Sequence, residues 1–147
     1  LKYLKARQRD HIPARGIILE LTESCWVPNL HFLNEEFREL HQAGYGVAID
    51  DFGTEYANLA LLSTVEFDVL KLDKSLVDDV ALSSRARSVV ENIVSICKGM
   101  QIKVVAEGIE TEEQLEALRS CGVELVQGYL FSKPIPTSEY EEKYLKS

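Results

Sequence analysis

At 147 residues the chain sits in the usual range for one domain, and its 46% hydrophobic content supplies a sizeable core. A net charge of −8 argues against a broad nucleic-acid surface, so no DNA partner is expected. No apolar run approaches the roughly 18 residues that a membrane span needs, and no secretion signal is visible.

Cys25, Cys97 and Cys121 are odd in number and lack metal-type spacing. Reduced thiols, and with them a cytoplasmic location, are the expectation. His11, His31 and His41 form no ligand pair and read as ordinary surface or packing residues. The chain starts at Leu1 rather than Met, which makes it a piece of something longer on this reading.

In chain order, Leu1 to Asp10 alternates Leu with Lys and Arg and resembles the tail of a surface helix, broken by Pro13 and Gly16. Ile17 to Leu21 reads as a buried strand ending in Glu20, with Thr22 and Glu23 just beyond. Asn29 to Ala43 is helical, because Leu30, Leu33, Phe37 and Leu40 recur along one face; Gly44 stops it. Val47-Ala48-Ile49 then runs straight into Asp50, Asp51, Phe52 and Gly53. A short continuous apolar run suits a strand buried on both faces, as in parallel sheets.

Leu59, Leu61 and Leu62 belong to a short helix, and Phe67 to Asp73 forms the next strand, ending in Lys71 and Asp73. Ser84 to Lys98 gives a longer helix with Val89, Val90, Ile93, Val94 and Cys97 inward and Gly99 as the stop. Ile102 to Gly108 is a strand ending in Glu107. Thr111 opens a helix through a capping box closed by Gln114, and Gly122 ends it. Glu124 to Tyr129 is a last short strand carrying Gln127, and a final helix runs from about Thr137 to Lys146. Five strands alternate with helices and no hairpin signal intervenes, which means βα units and a parallel sheet in one α/β domain.

Each strand thus ends in a polar group: Glu20, Asp50 with Asp51, Lys71 with Asp73, Glu107, and Gln127. Parallel α/β folds bind ligands at the carboxyl ends of their strands, so five successive tips converge on one acidic site. Neighbouring carboxylates repel, and hard divalent ions such as Mg²⁺ and Mn²⁺ prefer carboxylate oxygens. For Asp50 and Asp51 the competing reading is a helix cap beside a solvated acid. For Lys71 it is a structural ion pair with Asp50 or Asp73; among carboxylates its ammonium stays charged. A two-metal site of this kind suits in-line phosphoryl displacement. Asp51-Phe52-Gly53 matches the kinase metal triplet, but the Gly-rich loop and His-Arg-Asp are missing.

Together these segments resemble the EAL domain, the bacterial phosphodiesterase family that linearises cyclic di-GMP. The matching stretches are Leu19-Glu20-Leu21-Thr22-Glu23, Ala48 to Thr54, Leu70-Lys71-Leu72-Asp73, Val105 to Glu110, and Gln127 to Phe131. The resemblance implies a TIM-like (β/α) barrel with one strand running against the others, of which residues 1–147 would be the last five βα units of eight. It implies Glu20 and Asp50 as ligands of one metal, with Asp50 bridging to a second held by Asp51 and Glu107. Lys71 would contact the catalytic water, Glu107 or a neighbour would act as base, and Gln127 would place water or substrate. Glu23 would anchor the loop after the paired Asp residues, while Asp73 and Glu110 would lie close behind the site or the substrate. Mg²⁺ or Mn²⁺ is the implied cofactor and cyclic di-GMP the implied ligand, in a homodimer or a protein fused to other signalling domains.

Two departures qualify this. The family's Glu-Ala-Leu segment near its start, whose Glu ligates metal and whose following Arg holds phosphate, is not carried here, nor is a later Asn ligand. Little or no turnover is therefore expected of this chain by itself. After Thr54, where active members usually carry Gly-Tyr-Ser-Ser, the chain has Glu55-Tyr56-Ala57-Asn58. That change favours the alternative of a weak or inactive domain serving as a cyclic di-GMP receptor or interaction module. An unrelated metal-dependent barrel enzyme, such as an aldolase or a different esterase, is the third reading.

Overall fold

The computed structural model describes residues 13–22, 29–54 and 59–145. One sheet runs through it in the order β1 (Ile18–Thr22), β2 (Gly46–Phe52), β3 (Val69–Leu72), β4 (Lys103–Ala106) and β5 (Leu125–Val126). Every neighbouring pair is parallel. Parallel strands in sequential order need a crossover after each strand, and helices supply it. The antiparallel strand implied by the resemblance is not among these five.

The helices start where their sequences provide caps. Asn29 accepts from the amides of His31 and Phe32 at 3.0 and 3.3 Å to open α1 (Leu30–Gln42). After α2 (Leu59–Thr64), the four-residue α3 (Lys74–Val77) is capped by Asp73. Ser83 caps α4 (Ser84–Gly99), and the capping box of Thr111 and Gln114 opens α5 (Glu112–Ser120) as its spacing predicts. Leu33 and Phe37 of α1, Val90, Ile93, Val94 and Cys97 of α4, and Leu115 and Leu118 of α5 pack on Ile49, Leu70, Leu72, Val104 and Ala106 of the central strands. Each fully buried side chain of this size stabilises the fold by about 1.5–3 kcal/mol.

Several expectations are corrected. β1 is not buried on both faces: Ile18 is 54% exposed, because β1 is an edge strand among the described residues. Glu20 lies in the middle of β1, which continues to Thr22. Val89 faces outward at 44% exposure, one position off the inward stripe of α4. α4 ends at Gly99 as its last helical residue, one later than expected, and the left-handed turn falls on Gln101 at φ 62° rather than on the glycine. β5 is only two residues long, and the final helix is α6 (Thr137–Tyr140) followed by a π-helical turn over Glu141–Leu145. The helix expected over Leu1–Asp10, the residues Glu23 and Cys25, the Glu55–Asn58 loop and Lys146 lie outside the described residues. Among the described residues no helix is long and apolar enough to cross a membrane.

Candidate functional site

Strand register decides which polar side chains share a face. Glu20 pairs with Ala48 and Thr22 with Asp50, while Ala48 pairs with Val69 and Lys71 stands two residues beyond Val69. Paired residues in a parallel sheet point to the same side, and alternate residues repeat it. Glu20, Asp50 and Lys71 therefore lie on one face, opposite the helix-covered Ile49 and Leu70. Glu107 follows β4 directly, where its amide donates to the Leu72 carbonyl at 3.1 Å.

A regular strand would send adjacent Asp50 and Asp51 to opposite faces. β2 avoids this with a bulge: Ile49 pairs with Leu70, but Phe52 rather than Asp51 pairs with Leu72. The extra residue turns the strand locally, and Asp51 takes a left-handed φ of 57°. Asp tolerates that region better than most residues, at a cost of about 1–2 kcal/mol for an ordinary side chain. The result is that Asp51 and Asp50 serve the same site.

Lys71 is the hub. Its ammonium contacts Glu20 Oε2 at 3.0 Å, Asp50 Oδ1 at 3.0 Å and Glu107 Oε1 at 2.9 Å. Three acceptors satisfy the three N–H donors of one ammonium. Burial taken alone would lower the Lys71 pKa, but hydrogen bonds to Glu107, Asp50 and Glu20 outweigh it and hold the pKa above the ordinary lysine value. The expectation of a charged lysine thus agrees with the geometry, whereas Asp73 is not its partner.

The donor set fits a hard cation. Asp50, Asp51 and Glu107 each offer a carboxylate oxygen, and these lie within 4.8 Å of one another. A small divalent ion with oxygens at about 2.1 Å spaces its ligands roughly 3–4 Å apart, so a small adjustment closes the group. Asp50 and Glu107 each have a second oxygen to offer beside the one that faces Lys71.

The remaining expected residues are more scattered. Gln127 follows β5 as expected but is exposed, and its backbone N–H donates to the Ala106 carbonyl at 2.8 Å. Asp73 accepts from the Ser75 amide at 2.9 Å as the cap of α3, and its hydrogen bonds from Ser75 hold its carboxyl below the usual range. Glu110 accepts from Lys74 Nζ at 2.6 Å. Glu23 lies outside the described residues. A Glu-Ala-Leu tripeptide does occur, at Glu116-Ala117-Leu118, but it lies on α5: Glu116 is solvent-facing beside Arg119 and Leu118 is in the core. It is not a strand-tip motif. Gly53, Lys74, Leu76 and Gly108 border the acids without having been among the expected site residues, although a glycine close behind the Asp50-Asp51 pair and behind Glu107 is a readable signal.

The profile of the EAL domain family matches residues 2–134. The chain is 41% identical over 137 residues to the cyclic di-GMP phosphodiesterase NbdA of Pseudomonas aeruginosa, an alignment covering 93% of this chain and 18% of that protein. It is 34% identical over 138 residues to the probable cyclic di-GMP phosphodiesterase PdeA of Escherichia coli, covering 94% of this chain and 19% of that one. The EAL domain of Mycobacterium smegmatis DcpA superposes with a TM-score of 0.88 at 34% identity, covering 95% of this chain and 62% of that domain. Klebsiella pneumoniae BlrP1, solved as a manganese and cyclic di-GMP complex, gives a TM-score of 0.82 at 34% identity, with 90% of this chain and 34% of BlrP1 covered. The chain spans about a fifth of the length of the curated relatives it matches.

Proposed function

This chain belongs to the EAL domain family, and from that premise we propose that it supplies five consecutive βα units of a phosphodiesterase barrel that opens cyclic di-GMP to the linear dinucleotide. The observation that carries this reading is the convergence of Glu20, Asp50 and Glu107 on Lys71, with Asp51 turned to the same place by the β2 bulge. A barrel of this type takes ~250 residues; the 62% coverage of the mycobacterial domain supports five units of eight.

Asp50, Asp51 and Glu107, with Glu20, would hold Mg²⁺ or Mn²⁺, and Asp50, which touches Lys71 and belongs to the Asp51–Glu107 group, would be the ligand shared if two ions bind. Such ions, when bound, make water more acidic and neutralise charge on phosphate oxygens. In the reaction a water oxygen bonds to phosphorus, the bond from phosphorus to one ribose oxygen breaks, and the freed ribose oxygen takes up a proton. Glu107 or an adjacent acid accepts the proton that the water loses. Lys71 remains charged throughout, keeps the carboxylates from repelling each other apart, and donates to the attacking oxygen through an N–H that one of its three acceptors releases. Gln127, at the exit of β5, helps place water or substrate.

Three further points belong to the same reading. The much greater length of the curated relatives supports fusion to other signalling domains; a homodimer is the other arrangement this reading allows. The free, buried thiols of Cys97 and Cys121 suit a cytoplasmic domain. The receptor reading rests on the Glu55–Asn58 loop, outside the described residues, and retention of Glu20, Asp50, Asp51, Lys71 and Glu107 favours turnover over it.

Mn²⁺-dependent hydrolysis of cyclic di-GMP tests the proposal, with this chain measured beside a version extended toward a full barrel. We expect turnover in the extended protein and loss of at least a hundredfold on Glu107→Gln or Asp50→Asn, in line with removing a general base or metal ligand. Binding without turnover in both versions, or unchanged turnover in either variant, would contradict it.

A further inference from the structure

Two glycines stand just behind the converging acids: Gly53 two residues after Asp51, and Gly108 directly after Glu107. Both are left-handed, at φ 105° and 71°. A Cβ on either one would run into the same element. On Gly53 it would collide with the Leu76 side chain, and on Gly108 it would lie 2.8 Å from both Cβ and Cγ of Lys74. Leu76 and Lys74 belong to α3, which begins three residues after Lys71 and is pinned there by the Asp73 cap and by the Asp73 amide on the Phe52 carbonyl at 3.0 Å. One short helix, tied to the hub strand, therefore bears directly on the backbone of both acid-bearing loops. Beyond Gly108, Lys74 Nζ continues to Glu110 at 2.6 Å and to Asp78 at 3.5 Å.

We infer that Leu76 and the aliphatic stem of Lys74 are positioning residues that set the separation of Asp51 from Glu107 and so tune the site's affinity for a divalent cation. The inference rests on the metal role proposed above. Leu76 fills the space beside Gly53 and stops the bulge from relaxing, which would swing Asp51 away. The Lys74 stem fills the space beside Gly108 and keeps Glu107 turned toward Lys71. Interiors transmit such contacts because they are close-packed and stiff. The stem matters more than the charge, since exposed ion pairs such as Lys74 with Glu110 contribute little.

Mn²⁺ titration followed by the electron paramagnetic resonance of the free ion reads this directly, with a thermal melt for each variant. Leu76→Ala and Lys74→Ala are expected to weaken Mn²⁺ binding about tenfold, the low end of what removing a supporting partner of metal ligands costs. Lys74→Met, which keeps the stem, is expected to stay within about twofold of the parent, because the lost ion pair is exposed. Leu118→Ala, a core change away from both glycines, should lower the melting temperature and leave Mn²⁺ affinity unchanged. Parent-like binding by Leu76→Ala and Lys74→Ala overturns the inference. So does an equal loss in Lys74→Met or Leu118→Ala. A parent that binds no Mn²⁺ overturns the metal site itself, a result distinct from either.

Discussion

The two ends of the sheet solve opposite problems. At the amino ends of β2 and β3, one carboxylate meets complementary donors: Asp68 accepts from His41 Nε2 at 2.9 Å and from the Val47 amide at 2.8 Å. At the carboxyl ends, Glu20, Asp50 and Glu107 crowd round a single ammonium, with Asp51 on a left-handed backbone beside them. The first arrangement is ordinary satisfaction of polar groups, and it costs the fold little. The second gathers like charge and backbone strain in one place, the combination on which the proposed metal site rests. Parallel α/β proteins divide their labour this way, with stability at one end of the strands and function at the other.

Removing the hub breaks the comparison most severely. Lys71→Met leaves three carboxylates facing one another and should destabilise the fold by about 2 kcal/mol, less than the roughly 3–5 of fully buried pairs because Glu20 stays half exposed. Added Mn²⁺ should recover part of that loss in a thermal melt, since a divalent ion can replace the missing positive charge. The pH behaviour follows from the direction of the Lys71 shift. A lysine held above its ordinary value contributes stability that is complete below that value and lost only as pH rises through the folded one. From about pH 6 to 9 the Lys71 contribution should therefore be flat, and an alkaline fall in activity within that window would show that the ammonium is not held as described.

A smaller effect separates charge from backbone at Asp51. Asp51→Asn keeps a side chain tolerant of the left-handed φ and should fold as stably as the parent while binding Mn²⁺ more weakly. Asp51→Ala should be about 1 kcal/mol less stable than Asp51→Asn in denaturant unfolding, because alanine lacks the short polar side chain whose local hydrogen bonds make that region tolerable. Equal stability of the two would mean that the bulge is not strained. The smallest effect belongs to the other end of the sheet. His41→Ala removes one partly exposed hydrogen bond to Asp68 and should cost about 1 kcal/mol, with Mn²⁺ affinity and turnover untouched. A change in either would erase the division between the ends.

Much of this was legible in the sequence. The parallel order followed from strand–helix alternation without hairpin signals, and the Thr111–Gln114 box marked its helix to the residue. The convergence of Glu20, Asp50, Lys71 and Glu107 was readable because parallel topology sends strand ends to one side. The bulge was not, since nothing in Asp50-Asp51-Phe52 distinguishes a regular strand from one carrying an extra residue; only pairing with Leu70 and Leu72 decides it. The failures at Ile18 and Val89 have one cause: an apolar residue records a tendency to be buried, and its neighbours in space settle whether it is. Gly99 does close α4, but the left-handed residue that turns the chain is Gln101, which local propensity does not single out.

The most direct measurement is the anomalous diffraction of manganese in crystals grown or soaked with Mn²⁺. A peak bound by carboxylate oxygens of Asp50, Asp51 and Glu107, with Lys71 still beside Asp50 and Glu107, is the predicted result. Manganese density elsewhere, with these carboxylates left to Lys71 alone, would contradict the site and return the cluster to a purely structural ion-pair network.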